Sequence, residues 1–215
     1  MNQPKESKEL LSELMRPQQL DELMLPQPDM DNLSRMAQSG SIMNMLFWGQ
    51  PGTGKTSAAR ILMKLAGEDN SMELSGSSAL SKGNFVRNIV ADYASSVSFL
   101  HVPKICFVDE AEFVPKNAQL EVLKVIEDFS ENCRFILAVN NKPNLVAPLR
   151  SRLRPICFDV GASDRDEVIR RLLQRYELKL SEIGATLEQR RLREIIGIHF
   201  PDLRAIANNV QYELG

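Results

Sequence analysis

From Met45 onward, short apolar runs alternate with stretches of helical period. The runs predict strands at Met45–Trp48, Ser71–Leu74, Lys104–Val108, Arg134–Val139 and Pro155–Asp159. The stretches between them predict helices at Thr56–Ala66, Asn84–Ser95 and Asn117–Phe129. Such strand–helix alternation implies an α/β sandwich around a largely parallel sheet. Before it, Lys5 to Met15 reads as a short helix stopped by Arg16-Pro17. Pro26 and Pro28 then bracket an extended segment ahead of a helix from Asp29 to Gln38, with Asp29 as its N-cap. The alternation stops at Gly161, and only helical patterns follow: Asp164–Lys179, Thr186–His199 and Asp202 to about Tyr212. Ser163-x-x-Asp166 has the spacing of a capping box, and Val168, Leu172 and Tyr176 recur on one helical face. Two domains are expected, residues 1–160 and 161–215.

Composition narrows the class without naming a chemistry. The 215 residues are 43% hydrophobic and 25% charged, ordinary for a soluble globular protein. No apolar run approaches the ~20 residues that cross a bilayer, and MNQPKESKEL has no apolar core behind its charges. A cytoplasmic protein with no membrane partner is expected. The net charge of −2 gives no global basic footprint for nucleic acid, so any such contact has to come from a local face. Cys106, Cys133 and Cys157 are widely separated and form no metal-ligand spacing with His101 and His199, so they are expected as reduced thiols in or near the core.

The chemistry begins at Gly49-Gln50-Pro51-Gly52-Thr53-Gly54-Lys55-Thr56, between a predicted strand and a predicted helix. This is the G-x-x-x-x-G-K-[ST] phosphate loop in the context that makes it specific. Its glycines let backbone N–H groups turn inward around phosphates, and the helix N-terminus adds a positive dipole end. Lys55 is then placed as a point charge for the β- and γ-phosphates, and the Thr56 hydroxyl as a Mg²⁺ ligand. A nucleoside triphosphate, ATP with Mg²⁺, is the expected ligand.

Ile105 to Val108 ends in Asp109-Glu110. At the carboxyl end of a parallel strand, Asp109 emerges beside the nucleotide, fit to hold Mg²⁺ through its water shell, while Glu110 can polarise the attacking water. Two acids after a strand also serve merely to cap the next helix. Phe135 to Val139 ends in Asn140, which is a donor for the water or γ-phosphate, or a plain turn residue ahead of Lys142-Pro143. Arg150, Arg152 and Arg154 alternate before the last strand; they are either solvated surface or cations aimed into a neighbour's site.

In their order, GQPGTGKT, FVDEAE, LAVNN, PLRSRLR and FPDLR resemble the AAA+ ATPases, most of all the motor subunits of sliding-clamp loaders of the replication factor C and phage T4 type. The resemblance runs from Met15-Arg16-Pro17 to the C-terminus. It implies a P-loop sandwich followed by a helical lid, and site roles for matching residues. Gly49, Pro51, Gly52, Thr53, Gly54, Lys55 and Thr56 match the Walker A loop, and Asp109 and Glu110 match Walker B. Asn140 matches sensor 1, and Arg152 the arginine finger that completes the next subunit's site in trans. Arg204 matches the lid's sensor 2, and Arg16 and Pro17 the segment near the adenine. Leu153 replaces the family's cysteine after the finger, and the cysteine cluster of bacterial motor subunits is missing. Relatives continue past the lid into a helical collar, whereas these 215 residues stop at Gly215 just beyond it.

The resemblance further implies an assembly with sister subunits, a pentamer in the family, acting on a sliding clamp and primer–template DNA. The stretch Ser77 to Arg87 resembles the element that tracks the template backbone, which makes Lys82 and Arg87, with Lys116 and Asn117, the candidate phosphate contacts. Each of these is singly as compatible with an ordinary solvated side chain. Two other functions fit the same motifs: a non-hydrolysing AAA+ scaffold, which has no need of Glu110, and a helicase loader, which differs in its target.

Overall fold

The computed structural model describes residues 10–77, 89–96, 98 and 103–215. In chain order the elements are α1 (Leu11–Leu14), α2 (Gln27–Gln38), β1 (Met45–Trp48), α3 (Lys55–Ala66), β2 (Ser71–Ser75), α4 (Ala91–Ser95), β3 (Lys104–Asp109), α5 (Lys116–Asp128), β4 (Cys133–Val139), α6 (Ala147–Ser151), β5 (Arg154–Cys157), α7 (Arg165–Glu182), α8 (Gln189–His199) and α9 (Leu203–Leu214). They fall into two compact units. Pro17–Val160 is one, and Gly161–Gly215 together with the described residues before Pro17 is the other. Residues 10–16 thus group with the helices, not with the sheet as expected from the sequence.

The sheet is parallel throughout, in the order β2-β3-β4-β1-β5. Successive side chains on a strand point to opposite faces, and both faces here are apolar. Leu46, Val108, Phe135 and Leu137 pack with Val122 and Ile126 of α5 and Leu149 of α6. Met45, Phe47, Phe107 and Ile136 pack with Leu33 of α2 and Ala58 and Leu62 of α3. Full burial of each such Leu, Ile or Phe contributes roughly 1.5–3 kcal/mol, so helices on both sides are what makes a strand like MLFW stable. The register brings Trp48, Asp109 and Val139 to one end of the sheet, where the loops that carry chemistry begin.

Several local expectations need correction. α2 begins at Gln27 with Pro26 as its N-cap, and Asp29 lies inside the first turn. Proline presets the φ that a first turn needs, so Pro28 lies in the first turn of this helix, where the sequence had it closing an extended segment. Ser163 and Asp166 form no capping box. The N-cap is Asp164, without a side-chain cap bond, and the Ser163 hydroxyl instead donates to Asp164 Oδ2 at 2.8 Å. β5 stops at Cys157 because Asp159 turns to accept from the backbone of Gln50 at 2.7 Å. α8 starts at Gln189, three residues later than Thr186.

In the helical unit, Val168, Leu172 and Tyr176 are buried as their spacing predicts, along with Ile195, Ile196 and Ile206 from α8 and α9. Asp202 caps α9 by accepting from the Ala205 N–H at 2.9 Å. Cys106 and Cys133 are buried and Cys157 half-buried. Burial pushes the Cys133 thiol up to about 12 and Cys106 well above its usual value, so both stay protonated and inert at neutral pH. Among the described residues, no helix is long and apolar enough to cross a membrane.

Candidate nucleotide site

The loop between β1 and α3 is built around one buried cation. Gly54 adopts φ 97°, a left-handed conformation that glycine takes without a Cβ penalty, and its carbonyl accepts the first helical bond, from Ala58 N–H at 3.0 Å. The first N–H groups of α3 have no acceptor within the helix, an end whose geometry and dipole suit an anion. Lys55 is only 8% exposed. Its ammonium donates to the Gly49 and Gln50 carbonyls, both at 2.7 Å, and to Asn140 Oδ1 at 3.0 Å. A buried ammonium needs such partners, and they draw the loop's own carbonyls inward around it. The Thr53 hydroxyl donates to Gln50 O at 2.8 Å and fixes the turn.

The second wall comes from the end of β3. Asp109 Oδ2 accepts the Thr56 hydroxyl at 2.7 Å, and Oδ1 accepts the backbone N–H of Glu110 at 2.9 Å. Glu110 has φ 51° and ψ 39° and is the one non-glycine residue with positive φ among those described. Strain of this kind gathers at functional sites. Its effect is to turn the Glu110 side chain out of the strand path, and Oε2 then accepts from Ser77 Oγ at 2.7 Å and Ser75 Oγ at 3.4 Å. Gly76 N–H donates to Asp109 O at 2.8 Å, carrying the β2–β3 ladder one step past the strand.

The third wall is Asn140, exposed at the end of β4. Because its Oδ1 faces the Lys55 ammonium, the amide NH₂ points away and remains available as a donor. The residues expected at the loop and at the ends of β3 and β4 are therefore adjacent: Lys55 reaches Asn140, and Thr56 reaches Asp109. Gly52 and Thr53 lie in that loop, and Pro51 is exposed on its outer side.

Other expected residues lie apart from it. Arg152 follows α6 and donates from Nε at 2.8 Å and from Nη2 at 2.7 Å to Glu127 near the end of α5. It is 57% exposed. Lys116 and Asn117 are the exposed first two residues of α5. Arg16 and Arg204 belong to the helical unit, where Arg204 is exposed in the first turn of α9; Pro17 belongs to the sheet unit. Lys82 and Arg87 lie outside the described residues.

Three residues that hold the site had no role assigned from the sequence, although Glu112 lies within the FVDEAE motif. Asp159 accepts from Gln50 N–H and anchors the start of the phosphate loop. Glu112 accepts the backbone N–H of Asn140 at 3.0 Å. Gln119, 2% exposed, donates to Val114 O at 2.9 Å and Asn144 O at 3.4 Å and accepts from Val146 N–H at 2.8 Å, tying the loops after β3 and β4 together. Its sequence signal was a polar residue in line with Val122 and Ile126 on an otherwise apolar helical face.

The chain is 32% identical over 212 residues to the replication factor C small subunit of Thermofilum pendens, covering 95% of this chain and 62% of that protein. It is 29% identical over 203 residues to the sliding-clamp-loader large subunit of Enterobacteria phage T4, covering 93% of this chain and 63% of that protein. It thus spans less than two thirds of the length of these relatives. In fold it resembles the RuvB Holliday junction branch migration motor of Thermotoga maritima, with TM-score 0.66 and 24% identity over 92% of this chain and 64% of that one. It also resembles AMPPCP-bound DnaA from Aquifex aeolicus, with TM-score 0.66 and 16% identity over 91% of this chain and 64% of that one. Residues 45–159, which hold the phosphate loop, both strand-end acids and Asn140, match the family described as ATPase family associated with various cellular activities, and the chain belongs to that AAA family.

Proposed function

We propose that this chain is an ATP-hydrolysing motor subunit of a sliding-clamp loader. The observation that carries the reading is the meeting of Lys55, the Thr56–Asp109 pair and Asn140 at the carboxyl edge of one parallel sheet, with Glu110 beside them. The names of its relatives supply the target.

Each residue's part follows from its chemistry. Lys55 exchanges its carbonyl partners for the β- and γ-phosphates. The hydroxyl of Thr56 and the carboxylate of Asp109 form an all-oxygen donor set suited to a hard cation, and they would hold Mg²⁺ with water in its other positions. When bound, that ion neutralises charge on the phosphate oxygens. Glu110 leaves Ser77 to orient and deprotonate the attacking water. The NH₂ of Asn140 donates to the γ-phosphate, with its direction set by Lys55. Arg152, exposed and paired with Glu127, is suited to act in trans on a neighbouring subunit's nucleotide. Arg204 reports the γ-phosphate to the lid, and Arg16 and Pro17 flank the adenine. Lys116 and Asn117, at a helix N-terminus, contact DNA phosphates.

The test is reconstitution with sister subunits, a sliding clamp and primer–template DNA. ATP-dependent capture of the clamp, with turnover rising as subunits assemble, is expected. Capture of a replicative helicase in place of a clamp would overturn the target. Tight ATP binding without turnover in the full assembly would leave a scaffold.

A further inference from the structure

Glu112 stands outside the acid pair that the mechanism uses, yet one of its oxygens reaches the third wall of the site. Oε1 accepts the backbone N–H of Asn140 at 3.0 Å, joining the turn after β3 to the end of β4. Oε2 is buried and has no hydrogen-bond partner among the described residues. A buried carboxylate oxygen without a donor is costly, and such a group in a folded protein calls for an explanation. The bond on Oε1 supplies one. Asn140 is exposed, begins a loop and has its side chain committed on one side to Lys55, so its main chain needs an anchor of its own. A hydrogen bond to a charged acceptor is about twice as strong as a neutral one, and this bond holds the backbone from which the Asn140 amide projects.

We propose that Glu112 is a positioning residue for γ-phosphate recognition: it fixes Asn140 so that the amide meets the terminal phosphate of ATP. This rests on the reading of Asn140 as the γ-phosphate contact. ADP has no phosphate at that point, so losing Glu112 weakens ATP and leaves ADP almost unchanged. A purely structural role moves both together, or moves neither.

The experiment measures dissociation constants of the chain for ADP and for the non-hydrolysable analogue AMP-PNP, both with Mg²⁺, by titration calorimetry. Glu112→Ala is expected to weaken AMP-PNP about tenfold while ADP changes less than twofold. Glu112→Gln keeps an acceptor at Oε1 and is expected to restore AMP-PNP binding to within about threefold of the parent. Glu112→Asp keeps the charge but shortens the reach, and it stands in for the alanine variant if that fails to fold. Asn140→Ala sets the scale. If it leaves the AMP-PNP to ADP ratio unchanged, the reading of Asn140 falls and takes this proposal with it. If Asn140→Ala raises this ratio of dissociation constants but Glu112→Ala and Glu112→Asp do not, only the role of Glu112 is overturned. Equal weakening of both nucleotides overturns it too.

Discussion

Gly76→Ala is a one-methyl change that would act on the reacting water through the main chain of Glu110, leaving its carboxylate chemically unchanged. Gly76 is buried just after β2, and its N–H is already bonded to Asp109 O. A Cβ at this position would lie 2.3 Å from the Glu110 carbonyl oxygen and 3.0 Å from its carbonyl carbon. Such contacts begin near 3.0 Å and are ordinary from 3.4 Å, so the approach must open by about 0.7 to 1.1 Å. The obstacle is main chain, so no rotamer change relieves it. Overpacking of this kind costs about 1–3 kcal/mol of stability. The shift falls on Glu110, whose left-handed conformation leaves little room to adjust. A misplacement of about 1 Å can cost on the order of 100-fold in rate. Lys55 lies on another loop, so ATP affinity should stay within about threefold. The assay pairs nucleotide binding by the isolated chain with steady-state turnover in the reconstituted assembly, corrected for the folded fraction by thermal unfolding. Wild-type turnover per folded molecule would refute the link between Gly76 and the position of Glu110.

Lys55→Ala should abolish ATP binding, whereas Glu110→Gln should bind ATP normally and lose turnover by about 100-fold or more; equal binding defects in a filter-binding assay would contradict the division of labour. Arg152→Ala should lower turnover in the assembly by about 10³-fold, yet barely shift the melting temperature, because an exposed pair such as Arg152–Glu127 contributes about 0–1 kcal/mol. Gln119→Leu strands the buried Val114 carbonyl and the half-buried Val146 N–H and should cost about 1–3 kcal/mol, seen as a fall of several degrees in the calorimetric midpoint; an unchanged midpoint would mean that the loops do not depend on it.

The parts of the fold that depend on periodicity were legible, because burial on both sheet faces demands unbroken apolar runs. β1 is the clearest case: Met45–Trp48 was predicted and is observed with the same ends. Strand ends were harder to read, since they depend on contacts far away in sequence. Asp159 leaves the strand for a backbone N–H 109 residues earlier, and no local pattern announces that. In the site, residues with a motif around them were visible, including Lys55, Thr56, Asp109, Glu110 and Asn140. Those that hold the motifs in place were not. Glu112 and Gln119 act on main-chain groups of another loop, and the residue types alone say only that a carboxylate and an amide sit near apolar neighbours. Proline was misread at Pro28 for a different reason: its restriction of φ ends a helix when met from inside and starts one when met in the first turn.

The open edges of the sheet carry a consequence for how copies of this chain meet. Along β5, Arg154 and Phe158 turn their N–H groups to Asn44 O and Trp48 O of the inner neighbour, so the alternating position Pro155 faces outward. A proline there has no N–H to offer a sixth strand, and Arg154 adds charge beside it. At the opposite margin, β2 carries Glu73, locked to Arg60 by bonds of 2.7 and 3.0 Å. A charged pair on a margin discourages a foreign strand in the same way. A proline at one margin and a charged pair at the other thus disfavour strand addition as a mode of self-association. If the clamp-loader reading holds, sister subunits would meet through helices and loops, contacts that can loosen and re-form while the sheet stays whole.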